Sequence, residues 1–108
     1  MDDYLISPSV AEIYQSSKNK DWRRQVKERQ TVIFKFLEEH DLSLIELTDS
    51  SGEAKEDLIL MRSHLTENGA KLFEKAIPAW ERARDKDGNL SNLDVLQNGL
   101  KQIINRSH

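Results

Sequence analysis

Leu65-Thr66-Glu67-Asn68-Gly69-Ala70-Lys71-Leu72-Phe73-Glu74-Lys75-Ala76-Ile77-Pro78-Ala79-Trp80-Glu81-Arg82-Ala83-Arg84 reads as one amphipathic helix. Phe73, Ala76, Ile77, Trp80 and Ala83 recur at the three-and-four spacing that lines one helical face, while Lys71, Glu74, Lys75, Glu81 and Arg82 fall elsewhere on the wheel. An apolar face of this kind must bury itself against other elements. Thr66 is suited to cap the start, because its hydroxyl can accept a backbone N–H of the first turn, and Glu67 then sits where the helix dipole favours negative charge. Pro78 is the discord: it has no N–H for the carbonyl of Glu74 and its ring crowds that turn, so a kink is expected near Ile77.

Upstream of this helix, Leu44-Ile45-Glu46-Leu47-Thr48 and Leu58-Ile59-Leu60-Met61-Arg62 are short apolar-rich runs separated by a stretch that begins Asp49-Ser50-Ser51-Gly52. Alternation in the first run and turn chemistry between the two predict a β-hairpin, which needs helices to pack against. A long helix is expected over 21–40, capped by Asp21, with Trp22, Val26, Ile33, Phe36 and Leu37 as its apolar stripe and Arg29 and Gln30 interrupting it. The run Val32-Ile33-Phe34-Lys35-Phe36-Leu37 has strand propensity, and its charged flanks favour helix. Further upstream, two helix starts overlap: Ser7 followed by Pro8, or Ser9 with Glu12 three residues on. Downstream, Ser91 and Asp94 look like the capping of a last helix whose stripe is Leu93, Leu96, Leu100, Ile103 and Ile104, with Gly99 as a close-packing point. The fold class expected is α+β: two N-terminal helices, a β-hairpin, a kinked helix and a C-terminal helix around one core that includes Ile33, Leu37, Leu44, Leu60, Phe73, Ile77 and Trp80.

At 108 residues a single domain, 1–108, is the natural count, long enough to bury roughly two-thirds of the surface of its unfolded chain. The absence of cysteine excludes disulfides, thiolate nucleophiles and thiolate metal sites, and fits a reducing compartment. The start, Met1-Asp2-Asp3-Tyr4-Leu5-Ile6, is acidic rather than signal-like, and no apolar run reaches membrane-spanning length, so a cytoplasmic chain without membrane contact is expected.

Net charge is −3, and it is unevenly placed. Lys18, Lys20, Arg23, Arg24, Lys27 and Arg29 face only Asp21 and Glu28, whereas between 38 and 57 eight carboxylates, among them Asp49, Glu53, Glu56 and Asp57, face Lys55 alone. Lys20, Arg23, Arg24, Lys27 and Arg29 are thus the candidate site for an anionic partner, a short positive ridge on the long helix. Asp49, Glu53, Glu56 and Asp57 are the candidate acidic surface for a protein partner.

Other motifs fall short of a chemistry. Asp85-Lys86-Asp87-Gly88-Asn89 imitates the opening of a calcium loop, but the same register puts Leu90 where the sharp turn wants glycine and Leu96 where a bidentate glutamate must close the site. His40, His64 and His108 have no ligand partner at helical spacing, so no metal and no cofactor is expected. There is no glycine-rich phosphate loop and no nucleophile elbow, which points away from an enzyme.

Phe36-Leu37-Glu38-Glu39-His40-Asp41-Leu42, the hairpin, and then Leu65-Thr66-Glu67-x-Gly69 on to Phe73 resemble the end of the recognition helix, the wing and the following helix of MarR-type winged-helix transcription regulators. The resemblance covers residues 36–73 and implies that helix 21–40 would enter a major groove, with residues 49–57 as the wing. In length and layout the chain also resembles small uncharacterised bacterial proteins, which implies a bacterial source and no activity. Wings that touch phosphates carry arginine or lysine, whereas this tip is acidic. The leading expectation is therefore a small non-enzymatic protein-binding module of antitoxin, immunity or adaptor type, whose partner is another protein or a second copy of itself; a DNA-binding regulator is the alternative.

Overall fold

The computed structural model describes residues 3–16, 18–87 and 93–106. In chain order the elements are β1 (Leu5–Ser7), α1 (Val10–Tyr14), α2 (Lys20–Glu39), β2 (Leu60–Met61), a 3₁₀ turn (Arg62–His64), α3 (Glu67–Asp87) and α4 (Asp94–Arg106). The α+β class holds, with helices dominant and one antiparallel strand pair. The chain divides into two compact units, Met1–Leu65 and Thr66–His108. No described helix is long and apolar enough to cross a membrane.

In the first unit the caps set where the helices begin. Ser9, not Ser7, caps α1, its Oγ accepting the Glu12 N–H at 3.2 Å. Ser7 lies in β1, and its Oγ accepts instead from the Gln30 side-chain amide at 3.2 Å. α2 is capped by Asn19, whose Oδ1 accepts the Trp22 N–H at 3.0 Å; Asp21, expected as the cap, falls in the first turn, where its charge still suits the dipole. Residues 32–37 are helical as expected. Burial of Ile33, Phe34, Phe36 and Leu37 outweighs the few tenths of a kcal/mol per residue, roughly, that such side chains lose in a helix. Gln30, one of the two polar interruptions of the stripe, is itself buried and satisfied by Ser7.

α2 ends in a two-bond C-cap. Leu42 N–H reaches the Leu37 carbonyl at 2.8 Å and Asp41 N–H that of Glu38 at 3.3 Å, with Asp41 in the left-handed region at φ 56°. This is the Schellman arrangement, with Leu37 and Leu42, both buried, as its apolar pair. It turns the chain sharply off the helix and starts residues 43–57 on a return path.

The strand pairing differs from expectation. β2 lies within the second predicted run, but its partner is β1, in the register Leu5↔Met61 and Ser7↔Leu60 with an irregularity between them. Residues 44–48 form no strand: only isolated bridges, Ser43↔Leu65 and Thr48↔Ala54, flank or touch them. Two local causes act together. Asp49 Oδ1 accepts from Ser51 N–H, Ser51 Oγ and Glu53 N–H at 2.9, 2.6 and 3.2 Å, and with Gly52 at φ +82° this closes a tight turn that another turn at 56–57 follows at once, so no ladder can propagate. Meanwhile the N-terminal segment takes the edge of β2: Arg62 N–H donates to the Tyr4 carbonyl at 2.9 Å, and Asp3 accepts from Ser63 N–H and Oγ at 2.9 and 2.6 Å. Leu44, expected in the core, is 65 % exposed, whereas Leu47 is fully buried.

In the second unit Thr66 starts α3 as expected, its Oγ1 accepting the Gly69 N–H at 3.1 Å. The helix continues unbroken through Pro78. Leu72, Ala76, Ile77 and Trp80 are buried, Phe73 half-buried. The two helices pack on each other, and α4 buries Leu96, Leu100 and Ile103. Gly99 is the close-packing point: a Cβ there would stand 2.5 Å from the Cβ of Ala76. The expected Ser91 cap, and Gly88 and Asn89 of the calcium-like run, lie outside the described residues.

Candidate functional site

Lys27, Thr31 and Lys35 follow one another at four-residue spacing on α2 and so share one face. The acidic segment 49–57 lies along that face. Lys27 Nζ meets Glu53 Oε2 at 2.9 Å and Glu56 Oε1 at 3.2 Å. Thr31 Oγ1 accepts the Ala54 N–H at 3.0 Å, and a Cβ placed on Gly52 would be 3.7 Å from Lys35 Cε. Hydrogen bonds that the Lys27 ammonium donates to Glu53 and then to Glu56, acting against partial burial, hold it well above its ordinary pKa. Glu56 also anchors the far side: its carbonyl accepts the Ala11 N–H at 3.0 Å, and its Oε1 lies 3.5 Å from the Tyr14 hydroxyl. Burial, and then the Glu56 charge, push the Tyr14 phenol above its usual value.

The five basic candidates therefore do not form one open ridge. Arg23 donates from Nη2 to the Tyr14 carbonyl at 3.0 Å and stands 5.2 Å over that ring. Arg24 is exposed and meets Asp21 at 3.6 Å and Glu28 at 4.0 Å on its own helix. Lys20 is exposed and Arg29 half-buried. Of the acidic candidates, Glu53 and Glu56 are on Lys27, Asp57 is exposed, and Asp49 is the turn cap, held below the usual carboxylate range by the Ser51 hydroxyl and then the Glu53 N–H. Lys27 of the basic set thus meets Glu53 and Glu56 of the acidic set inside one unit, where a partly exposed pair of this kind contributes about 1 kcal/mol or less.

Glu38 completes the attachment of this segment. Its carboxylate accepts the Leu47 N–H at 3.0 Å and the Thr48 hydroxyl at 2.7 Å. Burial raises its pKa, but these hydrogen bonds and the Lys55 charge outweigh burial, and the net shift is downward. A carboxylate of this kind stabilises the fold fully above the unfolded-state pKa, and that contribution disappears as pH falls through the lower folded-state value. Glu38→Gln should therefore cost about 1–2 kcal/mol at pH 7. The wild-type advantage should shrink toward pH 3 in urea titrations; an advantage that grew on acidification would contradict the clamp.

Among the described residues no group of three or more His, Asp or Glu side chains is placed to hold a metal ion. The His40 ring packs against Phe36 at 4.3 Å between centroids, and His64 Nδ1 accepts the Met61 N–H at 3.0 Å, so both have local structural roles. His108 lies outside the described residues.

A concavity on the second unit was not anticipated from sequence. Between α3 and α4 runs a trough of about 470 Å³ with an apolar floor that includes Ala76, Ala79, Val95 and Ile103. Lys71 and Lys75 stand on the α3 rim, and Asn98 and Gln102 on the α4 rim. Lys71 Nζ lies 3.6 Å from Glu67, one turn back, and Lys75 makes no ion pair among the described residues. The only trace of the trough in sequence is the small size of Ala76, Ala79 and Gly99, which marks a furrow only once the two helices are set side by side. No family model, no curated protein and no solved structure matches this chain.

Proposed function

We propose that this chain is a small non-enzymatic protein-binding module, of the antitoxin, immunity or adaptor type, acting without a cofactor in a bacterial cytoplasm. The observation that supports it is the trough on α3 and α4, whose apolar floor and lysine rim suit a peptide or helix surface. The charge arrangement in the first unit weighs in the same direction. A DNA reader would need the basic side chains of α2 turned toward phosphates, yet Lys27 is engaged by Glu53 and Glu56, and these carboxylates lie along the helix that would enter the groove. The winged-helix reading is therefore the second choice.

Size-exclusion chromatography with light scattering, alone and with sheared duplex DNA at low and physiological salt, separates the two. The module should ignore DNA at both salts and retain a stoichiometric protein partner, another chain or a copy of itself, at physiological salt. Co-migration with DNA that is lost as salt rises would favour the regulator instead.

A further inference from the structure

The shape and charge of the trough select a class of occupant. Its lining extends from Lys71 to Ala79 on α3 and from Val95 to Ile103 on α4. At 1.5 Å per residue this is a length of about 12 Å, or roughly two helical turns. Ala76 and Gly99 approach closely at its middle, and neither they nor Ala79 project a long side chain into it. Two helices with such a furrow present ridges and grooves into which a third helix packs.

Charge narrows the class further. Lys71 and Lys75 are one turn apart on the same rim, and among the described residues no carboxylate lines the trough. The Lys71 contact to Glu67 is long and largely exposed, a weak interaction that a partner's carboxylate can replace. The opposite rim offers the amides of Asn98 and Gln102, which can donate to or accept from either a neutral or an acidic neighbour. We propose that the trough between α3 and α4 binds an amphipathic helix of a partner protein, one whose apolar strip is flanked on one side by Asp or Glu at four-residue spacing. This inference rests on the protein-binding reading above and names the partner's chemistry.

The test uses the full chain and two fluorescently labelled peptides built from Leu, Ala and Glu. In one, an apolar strip at helical spacing is flanked by glutamates one turn apart; in the other, those glutamates are lysines. Fluorescence anisotropy at physiological salt should show binding of the acidic peptide and not of the basic one. Lys71→Glu with Lys75→Glu should weaken the acidic peptide at least tenfold and admit the basic peptide, a reversal that mere unfolding cannot produce. Ala79→Gln, which lengthens a half-buried floor residue, should weaken both pairings, with far-UV circular dichroism verifying that each variant is folded. The assignment is overturned if the acidic peptide does not bind, if it binds the charge-reversed chain equally well, or if light scattering shows a dimer that the charge reversal dissociates. A captured protein partner that binds the charge-reversed chain as it binds the wild type would also overturn it, while leaving the protein-binding reading intact. The absence of any protein partner, together with salt-sensitive DNA binding, would remove both.

Discussion

Replacing Trp80 with alanine is expected to lower stability by about 3–5 kcal/mol, the range for truncating a buried tryptophan. Trp80 is 1 % exposed and is the largest fully buried side chain among the described residues. It continues the buried series Leu72 and Ala76 at four-residue spacing, next to Ile77, so its removal takes away the bulkiest part of that face of α3. Its position matters as much as its size. Two residues before it, Pro78 leaves the Glu74 carbonyl without its helical N–H, so the local helix relies on packing where hydrogen bonding is deficient. Urea unfolding followed by circular dichroism should show the midpoint of the transition that melts α3 falling by roughly 2 M, given a slope of about 2 kcal/mol per molar. An unchanged midpoint would mean that the α3 face contributes little to holding the chain together.

The second large effect concerns residues 44–48, where alternation misled. Leu47→Ala is expected to cost about 2–5 kcal/mol, and Leu44→Ala less than about 0.5 kcal/mol. Leu47 is fully buried, its N–H bonded to the Glu38 carboxylate and its carbonyl accepting from the Lys55 N–H at 3.1 Å. Leu44 is 65 % exposed and Ile45 37 % exposed. Urea titrations of the two variants side by side test this directly, and equal losses would contradict the exposed position of Leu44.

The helices were legible because their signals are local. An apolar residue every third or fourth position, a capping side chain three residues before the N–H it receives, and a glycine where two helices come close are all written within a few residues of one another. Thr66 caps α3, Gly99 packs close to Ala76 and residues 32–37 are helical, as those local signals predict. The same local rules could not distinguish Asn19 from Asp21 as the cap of α2, since both are good capping residues and only the path of the chain into the helix decides between them.

Amino-acid sequence by itself determined the helices, the turn at 49–52 and the opposite charge of residues 18–29 and 38–57. Tertiary structure alone decided what those features meet. β1 pairs with β2 across more than fifty residues, and three residues of strand are too short for a period to appear in sequence. Lys27 meets Glu53 and Glu56 because the C-cap at Asp41 and Leu42 and the Glu38 clamp carry the acidic segment back along α2. The trough exists only because Gly99 lets α4 approach Ala76 on α3. Local backbone preference and spacing act within one or two turns, whereas charge pairing, strand partnership and concavity depend on the whole path of the chain through space.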